Sequence, residues 1–509
     1  MKYIVSVDIG TTSVKTGLYN KKLDVIGFIS EEYALLTPKK DYIELDPEVY
    51  WQAVTRSVNS LVMKHLIRAA DVSAIAICSQ GETLIPVDCE GKPLYNAVVW
   101  IDTRAGQEAE HLRSIIGDDL YYHTTGLNEF WSANPICKLL WLKNNRPDIY
   151  SKTAKFLLLT DFIAYRLCGQ MVSEWTMMCS TGYYDINRHE IWQTGLKAAG
   201  LDADKVPEVQ KSGVPAGIVL PDVAQQMGVS ENTKVIICAN DQMAGAVGGG
   251  NTQPGIVTET TGTALVITAT VDKPDYDLDP RIIYYLHVKG DYLIVPYTST
   301  AGILLKWFKD EFCGPEATQA RTLGTSVYDL LGQMASETPP LAHGLMLYPH
   351  FAGKVSPNNN PDAKGIFFNV GLECKKAHFV RAIFEGIAYI LRENVTAIEN
   401  CGININEVRS LGGGARSDVW NQIKADVLGK PIVTLERDEA TSLGVAMIAA
   451  VSLGWFANLD IAGERVIAIR KKYYPNPDQV KLYDHGYAFY KKMESQMQVL
   501  FSDRFYDII

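Results

Sequence analysis

The stretch that decides the fold is the first one, Met1–Lys15, with the sequence MKYIVSVDIGTTSVK. Ile4–Asp8 alternates in polarity and is rich in β-branched residues, which predicts a strand. Val14–Tyr19 predicts the return strand, with Gly10 and the small residues after it in the turn. A carboxylate at the end of a buried strand, next to such a turn, favours two interpretations. One is an ordinary hairpin, and the other is a site that handles a metal ion and phosphates.

The residue types of this turn suit phosphate chemistry. Backbone N–H groups of a glycine turn and neighbouring hydroxyl groups can donate to phosphate oxygens, and the candidates are Gly10, Thr11, Thr12 and Ser13. Asp8 is a candidate ligand of Mg²⁺ through bound waters, and Lys15 could reach a phosphate. The sequence contains no GxxxxGK[ST] motif, which excludes a P-loop, and the lack of GxGxxG after a strand counts against a dinucleotide enzyme.

Length and charge restrict the function further. A chain of 509 residues is too long for one ordinary core, so we expect two large domains. The net charge of −10 argues against a general nucleic-acid or anionic-membrane binder, since both need a positive field. Lys2 is the only basic residue before Asp8, so no signal peptide is predicted. Nine cysteines without a CxxC pair fit reduced thiols, and we expect a cytoplasmic protein.

Strands alternate with helical segments along the whole chain, which predicts an α/β protein. Asp46-Pro47-Glu48 has the signature of a helix start. Ile256–Thr260 and Ala264–Thr270 predict a second hairpin, so the opening pattern recurs after a turn-rich break at Asn251–Gly255. We therefore predict two α/β domains, residues 1–250 and 251–509, with a cleft between them.

Asp241 is the strongest candidate for a catalytic base. It follows the predicted strand Val235–Cys238, and active sites of open α/β sheets collect at the carboxyl ends of strands. A carboxylate held rigidly at such an end can accept the proton of a substrate hydroxyl. The alternative is that Asp241 only caps the helix that follows.

Three further loops follow predicted strands. Gln80-Gly81-Glu82-Thr83 could present hydrogen-bonding groups to a polyhydroxyl ligand, or it is a polar loop. Trp100-Ile101-Asp102-Thr103-Arg104 offers an aromatic plate and two charges, or a surface ion pair. Gly412–Ser417 could admit a flat ligand or a phosphate against its backbone, or it is a structural turn. The candidate substrate ligands are Gln80, Gly81, Glu82, Trp100, Asp102, Asp241 and Gln242.

Together these motifs resemble the FGGY family of carbohydrate kinases, over nearly the whole chain and in order. The similar segments are VDIGTTSVK, WIDTR, CANDQMAGAVG, TTGTA and LGGGARSD. Lys138–Asn145 resembles the first family signature, and Gly365–Val370 with His378–Glu385 resembles the second. The resemblance implies two ribonuclease H-like domains of the actin-like ATPase superfamily, the first binding sugar and the second binding nucleotide.

The resemblance also implies roles for residues and cofactors. The reaction would transfer the γ-phosphate of ATP to a hydroxyl of a small sugar or polyol, with Mg²⁺. Asp241 would be the general base and, with Asp8, would hold the metal. Thr11, Thr12 and Ser13 match the first phosphate loop. The second phosphate loop and the adenosine-facing loop would comprise Thr261, Gly262, Thr263, Gly412, Gly413, Gly414 and Ala415.

Substrate features point in two directions. Gln80–Thr83 and Asp241-Gln242 are partly similar to glycerol kinases, but Gly81 stands where those enzymes have an arginine, and its loss should open space. The segment GGGARSDVWNQIKADVLGKP looks closest to xylulose kinases, although Gly81-Glu82 replaces their usual Met-His pair. We expect a ketopentose such as xylulose, with another ketose, a polyol (glycerol, erythritol) or gluconate as alternatives. A non-enzymatic actin-like ATP switch is the alternative of a different class, and a homodimer is among the assemblies left open.

Overall fold

The computed structural model describes residues 1–277 and 282–502. It divides into two compact units. Unit 1 comprises Met1–Thr252, Asp272–Leu293 and Glu439–Ile467, and unit 2 comprises Gln253–Val271, Ile294–Asp438 and Ala468–Ile509. The units interleave along the chain, since two segments of unit 1 come after residue 250. The assignment of residues 1–250 and 251–509 to sugar and nucleotide binding remains a prediction.

Strands and helices alternate within the described residues, as the sequence predicts. The strands are β1 Tyr3–Ile9, β2 Ser13–Asn20, β3 Val25–Glu32, β4 Glu44–Leu45, β5 Val72–Ser79, β6 Leu84–Val87, β7 Ala97–Val98, β8 Lys155–Leu158, β9 Val172–Glu174, β10 Tyr184–Asp185, β11 Glu190–Ile191, β12 Glu208–Gln210, β13 Pro215–Ile218, β14 Lys234–Asn240, β15 Ile256–Thr261, β16 Leu265–Val271, β17 Tyr284–Leu286, β18 Tyr292–Ile294, β19 Tyr297–Thr298, β20 Met346–Tyr348, β21 Ile366–Phe368, β22 Glu407–Leu411, β23 Ile432–Leu435 and β24 Ile469–Tyr473. The α-helices are α1 Pro47–Lys64, α2 Gly106–Ile116, α3 Asp118–Thr125, α4 Pro135–Asn145, α5 Pro147–Lys152, α6 Leu159–Cys168, α7 Trp175–Met178, α8 Gln193–Ala198, α9 Pro221–Met227, α10 Asp241–Gly248, α11 Gly302–Phe312, α12 Gly314–Leu323, α13 Val327–Glu337, α14 Lys376–Asn400, α15 Asp418–Leu428, α16 Ala440–Ser452, α17 Leu459–Val466 and α18 Pro477–Ser502.

The main sheet of unit 1 has the strand order β13-β14-β5-β1-β2-β3. The predicted opening hairpin is confirmed, because β1 and β2 are antiparallel and Asp8 lies opposite Lys15. Strands β1, β5 and β14 run parallel, with Asp8 opposite Cys78 and Ser79 opposite Asn240. Since parallel strands end at the same edge of a sheet, the residues after β5 and β14 lie at the same edge as Asp8.

Helix α1 shows how the local sequence sets an element of this core. The side chain of Asp46 accepts a hydrogen bond from the N–H of Glu48, and Pro47 is the first helical residue, as predicted. The helix buries one face against the sheet, with Tyr50, Val54 and other apolar residues wholly inaccessible to solvent. Burial of this apolar surface, at about 25 cal/mol per Å², is the main stabilising term.

Helices α10 and α16 make an unusually close contact within unit 1. A methyl group on Gly248 would overlap the carbonyl of Ala440, and one on Gly444 would overlap the carbonyl of Ala244. Helix α16 also contacts the opening hairpin, because its Ser442 carbonyl accepts a hydrogen bond from the Ser6 hydroxyl at 3.0 Å. Residues 440–452 therefore fix both the helix that starts at Asp241 and the strand that carries Asp8.

Unit 2 repeats the arrangement of unit 1. Its sheet contains the order β16-β15-β22-β23-β24. Strands β15 and β16 form the predicted second hairpin, and β15 runs parallel to β22, which runs parallel to β23. Each unit thus has a hairpin whose first strand pairs with a later parallel strand. Across residues 1–277 and 282–502, no helix is long and apolar enough to cross a bilayer.

Candidate active site

Three carboxyl groups come together at one edge of the unit 1 sheet. Asp8 belongs to β1, Glu82 lies in the loop after β5, and Asp241 begins α10 directly after β14. Because β1, β5 and β14 are neighbouring parallel strands, their ends form one locus. Asp8 and Glu82 each act electrostatically on Asp241 through their negative charge. The structure therefore brings together residues that the sequence placed more than 70 positions apart.

Asp241 does not cap its helix. The cap is Asn240, whose side-chain carbonyl accepts a hydrogen bond from the Gln242 N–H at 2.9 Å. The alternative that Asp241 only caps this helix is therefore wrong, because the cap is the preceding residue. Asn240 is itself fixed, because its N–H donates to the Thr176 hydroxyl at 2.9 Å. With its neighbour as the cap, Asp241 is held in the first turn of α10, where the positive end of the helix dipole favours a carboxylate.

The environment raises the pKa of all three carboxyl groups, and for Glu82 the main cause is burial. Burial and, after it, the charges of Asp8 and Glu82 raise the pKa of Asp241 to about 8, against the opposing effect of hydrogen bonds from Gln242. Burial also raises the pKa of Asp8 to about 6, although the positive charge of Lys15 opposes the rise. Such a pair of raised carboxyl pKa values is typical of functional sites, where proton transfer near neutral pH is required.

The loop after β5 is tightly packed. Glu82 has a positive φ of 54°, a conformation uncommon for a residue with a side chain. A methyl group on Gly81 would lie 2.9 Å from Asn240 Nδ2 and 3.1 Å from Ser180 Oγ. The expected open space at Gly81 is therefore wrong, since these two side chains fill it. Gln80 is buried, and its Oε1 has no hydrogen-bond partner among the described residues.

The segment from Trp100 to Arg104 divides into two parts. The Trp100 Nε1–H donates to the Thr11 hydroxyl at 2.9 Å, which links this segment to the first turn. Asp102 is wholly buried and accepts two hydrogen bonds from the Arg104 guanidinium, at 2.8 and 2.7 Å. Glu44 also pairs with Arg104, at 2.8 Å. The ion pair considered from the sequence exists, but it is buried rather than at the surface. Contact between Asp102 and a sugar remains a prediction.

The first turn is closed by its own backbone. The Gly10 N–H donates to the Ser13 carbonyl at 2.9 Å, so Gly10 shapes the turn with its donor already used. Tyr33 fastens the turn from the neighbouring segment, through its N–H to the Thr12 carbonyl at 3.0 Å. Lys15 forms an ion pair with Glu439 at 3.1 Å, and both side chains are 41% exposed. An exposed pair of this kind is weak, so Lys15 can exchange Glu439 for another anion.

Unit 2 brings its two predicted loops together. A methyl group on Gly414 would lie 2.6 Å from Thr261 Cβ, and one on Gly412 would lie 3.2 Å from the Thr261 carbonyl. Lys424, wholly buried, donates to Glu259 at 2.5 Å and to the Thr261 hydroxyl at 3.1 Å. The buried ion pair of Lys424 and Glu259 thus fixes the side chain of Thr261. No pattern in the sequence indicates this role, because a lysine within a helix such as α15 is usually exposed to solvent.

A third segment supports the same turn. The Gly302 N–H donates to the Gly262 carbonyl at 2.8 Å, and the Ala301 N–H donates to the Thr263 carbonyl at 3.0 Å. A side chain at Gly302 would overlap Gly262. The start of α11 therefore belongs with the loop Thr261–Thr263, a contact for which the sequence carries no local signal.

The carboxyl groups of unit 1 fit a magnesium ion bound with a nucleotide. Among the residues that the structure describes, no cluster of three or more His, Cys, Asp or Glu side chains could enclose a metal. Mg²⁺ in phosphate-handling sites needs only one or two carboxylates, since waters and phosphates supply the other oxygens. The negative charges of Asp8 and Asp241 repel each other, so a cation near both carboxyl groups would be favourable.

Comparison with known proteins agrees with this geometry. Residues 3–248 match the N-terminal domain of the FGGY family of carbohydrate kinases, and residues 256–453 match its C-terminal domain. The chain is 30% identical to a xylulose kinase of Bacillus subtilis, over 97% of each chain. It is also 30% identical to a gluconokinase of Bacillus licheniformis, over 94% of this chain and 93% of the other. A ligand-bound xylulose kinase from Lactobacillus acidophilus superposes with a TM-score of 0.90 at 24% identity, over 99% of this chain and 100% of that one. The predicted fold of ribonuclease H-like, actin-like ATPase domains is therefore confirmed.

Proposed function

Because the chain belongs to the FGGY family of carbohydrate kinases, we propose that it transfers the γ-phosphate of ATP to a hydroxyl of a ketopentose such as xylulose. The enzyme class, a phosphotransferase with an alcohol group as acceptor, follows from the family. The similarity to the xylulose kinase of Bacillus subtilis supports the ketopentose. The chain belongs to a family of carbohydrate kinases, so the non-enzymatic actin-like ATP switch considered from the sequence is set aside.

The observation that carries the proposal is the position and environment of Asp241. In this proposal its carboxylate accepts the proton of the attacking sugar hydroxyl as the new O–P bond forms. A carboxyl group with a pKa of about 8 is a stronger base, once ionised, than one with the usual value of 3.8. The first turn of α10 and its contact with α16 hold this group rigid.

Asp8 and Asp241 would hold Mg²⁺ in this enzyme. When bound, the ion neutralises phosphate charge during transfer. Thr11, Thr12 and Ser13 would donate to phosphate oxygens, and Lys15 would leave Glu439 to pair with one of them. In unit 2, Thr261–Thr263 and Gly412–Ala415 would bind the nucleotide, since the two loops lie directly against each other.

The charge of the unit 1 site favours an uncharged acceptor. Glu82 and Asp241 can accept hydrogen bonds from sugar hydroxyls, and the Asn240 and Gln80 amides can both donate and accept. In their ionised forms, Asp8, Glu82 and Asp241 would repel a carboxylate on the substrate. Gluconate is the second candidate because of the similarity to a gluconokinase, and this repulsion makes us place it after a ketose.

The test is a coupled ADP-release assay with ATP and Mg²⁺ across pentuloses, hexuloses, polyols and aldonates. The proposal expects the highest kcat/KM with a pentulose and a loss of sugar-dependent ADP release in Asp241→Asn. A strong preference for gluconate would replace the ketopentose by the second candidate. Undiminished turnover in Asp241→Asn would remove the base.

A further inference from the structure

Lys138 is a buried lysine in α4 that connects two loops of the unit 1 site. Its side chain is almost inaccessible, with 1% of the residue exposed. Its ammonium group donates to the backbone carbonyl of Glu82 at 3.0 Å and to that of Val99 at 3.0 Å. One side chain thus fastens the loop after β5 and the segment after β7 to the same point.

Glu82 is the residue that gains most from this connection. Its φ of 54° is in the left-handed region, which is unfavourable for residues other than glycine unless surrounding contacts over-determine it. The bond from Lys138 to its carbonyl is such a contact. The direction of the Glu82 Cα–Cβ bond, and therefore the side from which its carboxyl group can reach a ligand, follows from this backbone conformation.

The second bond reaches the first turn by way of Trp100. Val99 directly precedes Trp100, whose N–H donates to the Thr83 hydroxyl at 3.2 Å and whose indole donates to Thr11. Lys138 therefore stabilises a connected set of loop contacts that includes Thr83, the residue after Glu82. A buried ammonium group needs hydrogen-bond acceptors, and because Lys138 takes them from two separate loops it fixes both loops to α4.

We propose that Lys138 is a positioning residue for the acceptor sugar, which holds the Glu82 carboxyl group in the orientation that accepts hydrogen bonds from the substrate. This inference rests on the proposed function, because it needs the sugar to bind beside Glu82 and Asp241. Lys138 touches neither substrate nor nucleotide in this account, and it acts through the backbone of Glu82.

The experiment compares three variants with the wild type by steady-state kinetics and by calorimetric titration with ADP. Lys138→Met removes the donors with little change in length, and Lys138→Gln keeps a shorter, uncharged donor. Lys143→Met is the matched control, since Lys143 lies on the same helix and its side chain donates to the Gly200 carbonyl. The sugar is the one with the highest kcat/KM in the wild type.

We expect the KM for the sugar to rise at least tenfold in Lys138→Met and by a smaller factor in Lys138→Gln. The affinity for ADP should change by less than threefold in both, and Lys143→Met should match the wild type. The inference is overturned if a variant that binds ADP normally keeps its sugar KM within twofold. It is also overturned if sugar and ADP affinities fall together in both variants. Should Lys138→Met not fold, Lys138→Gln decides alone by the same two criteria.

Failure of this inference is separable from failure of the proposed function. If the wild type phosphorylates the sugar and Asp241→Asn does not, the proposed function stands whatever Lys138 does. If Asp241→Asn remains active, only the assignment of the base fails, and the sugar KM of Lys138→Met still supports or overturns the inference by the criteria above.

Discussion

Replacing Asp241 by asparagine should stabilise the nucleotide-free protein, although it removes the proposed base. Burial and the charges of Asp8 and Glu82 raise the pKa of Asp241 from 3.8 to about 8. An acid whose pKa is higher in the folded state weakens folding above the unfolded-state value of 3.8, because the unfolded chain then ionises while the folded protein keeps the proton, and this penalty grows until about pH 8. Asparagine carries no charge at any pH, so the variant has no such pH-dependent penalty. The advantage of the variant should therefore be absent near pH 4 and should grow up to about pH 8.

The size of the effect follows from the pKa difference. At pH 7 the difference between pH and the unperturbed value of 3.8 corresponds to ~4 kcal/mol, at ~1.4 kcal/mol for each pKa unit. Asp241 is partly accessible to solvent, which screens part of this penalty. The variant also loses ~0.5 kcal/mol from a carboxylate in the first helical turn. We expect a net gain of ~1–2 kcal/mol at pH 7.5, or about 2–4 °C in the unfolding temperature.

The assay is thermal unfolding of the nucleotide-free protein at several pH values between 4 and 8.5. The matched control is Asp204→Asn, which neutralises an exposed aspartate of unit 1 and should shift the unfolding temperature equally little at every pH. The reasoning is refuted if Asp241→Asn is less stable than the wild type at pH 7.5. It is equally refuted if the difference between them does not depend on pH.

Three other substitutions test separate parts of the structure. Asp8→Asn should raise the Mg²⁺ concentration for half-maximal activity by about tenfold, and an unchanged Mg²⁺ dependence would remove Asp8 from the metal site. Gly444→Ala should destabilise unit 1 by at least ~3 kcal/mol, because the added methyl group overlaps the Ala244 carbonyl in a contact between two backbones. A change below ~0.5 kcal/mol in denaturant unfolding would show that α10 and α16 can separate. Lys424→Met should lower the free energy of unfolding by ~3–5 kcal/mol, since it leaves the buried Glu259 without its positively charged partner, and a stability equal to that of the wild type would contradict the buried ion pair.

Local patterns in the sequence predicted the parts of the fold that depend on neighbours in the chain. The opening hairpin, the start of α1 at Asp46-Pro47 and the strand before Asp241 all follow from residues within a few positions. Asp8, Glu82 and Asp241 each lie in or just after a strand recognisable from its own composition, but their meeting at one edge depends on the parallel order of β1, β5 and β14. The end of a single strand can be recognised from its own residues, without knowledge of the strand order in the sheet.

Contacts between distant segments could not be predicted from the same patterns. Helix α16 is small-residue and helical in the sequence, but nothing there places it against α10 and the opening hairpin of unit 1. The packing of Asn240 and Ser180 at Gly81 reverses the expectation of open space, since it depends on two segments remote from Gly81. Burial of Asp102 likewise required knowledge of Arg104's other partner, Glu44. Such contacts depend on the packed structure.

The substrate, the metal and the roles of single residues remain proposals, and one measurement tests the central one most directly. Wild type and Asp241→Asn are each mixed with MgATP and xylulose in a rapid-quench, single-turnover experiment, and the sugar phosphate is quantified. The account predicts that both bind ATP but that the variant forms sugar phosphate roughly 10²–10⁴-fold more slowly, the usual contribution of a general base. Formation of sugar phosphate by Asp241→Asn at the wild-type rate would contradict it.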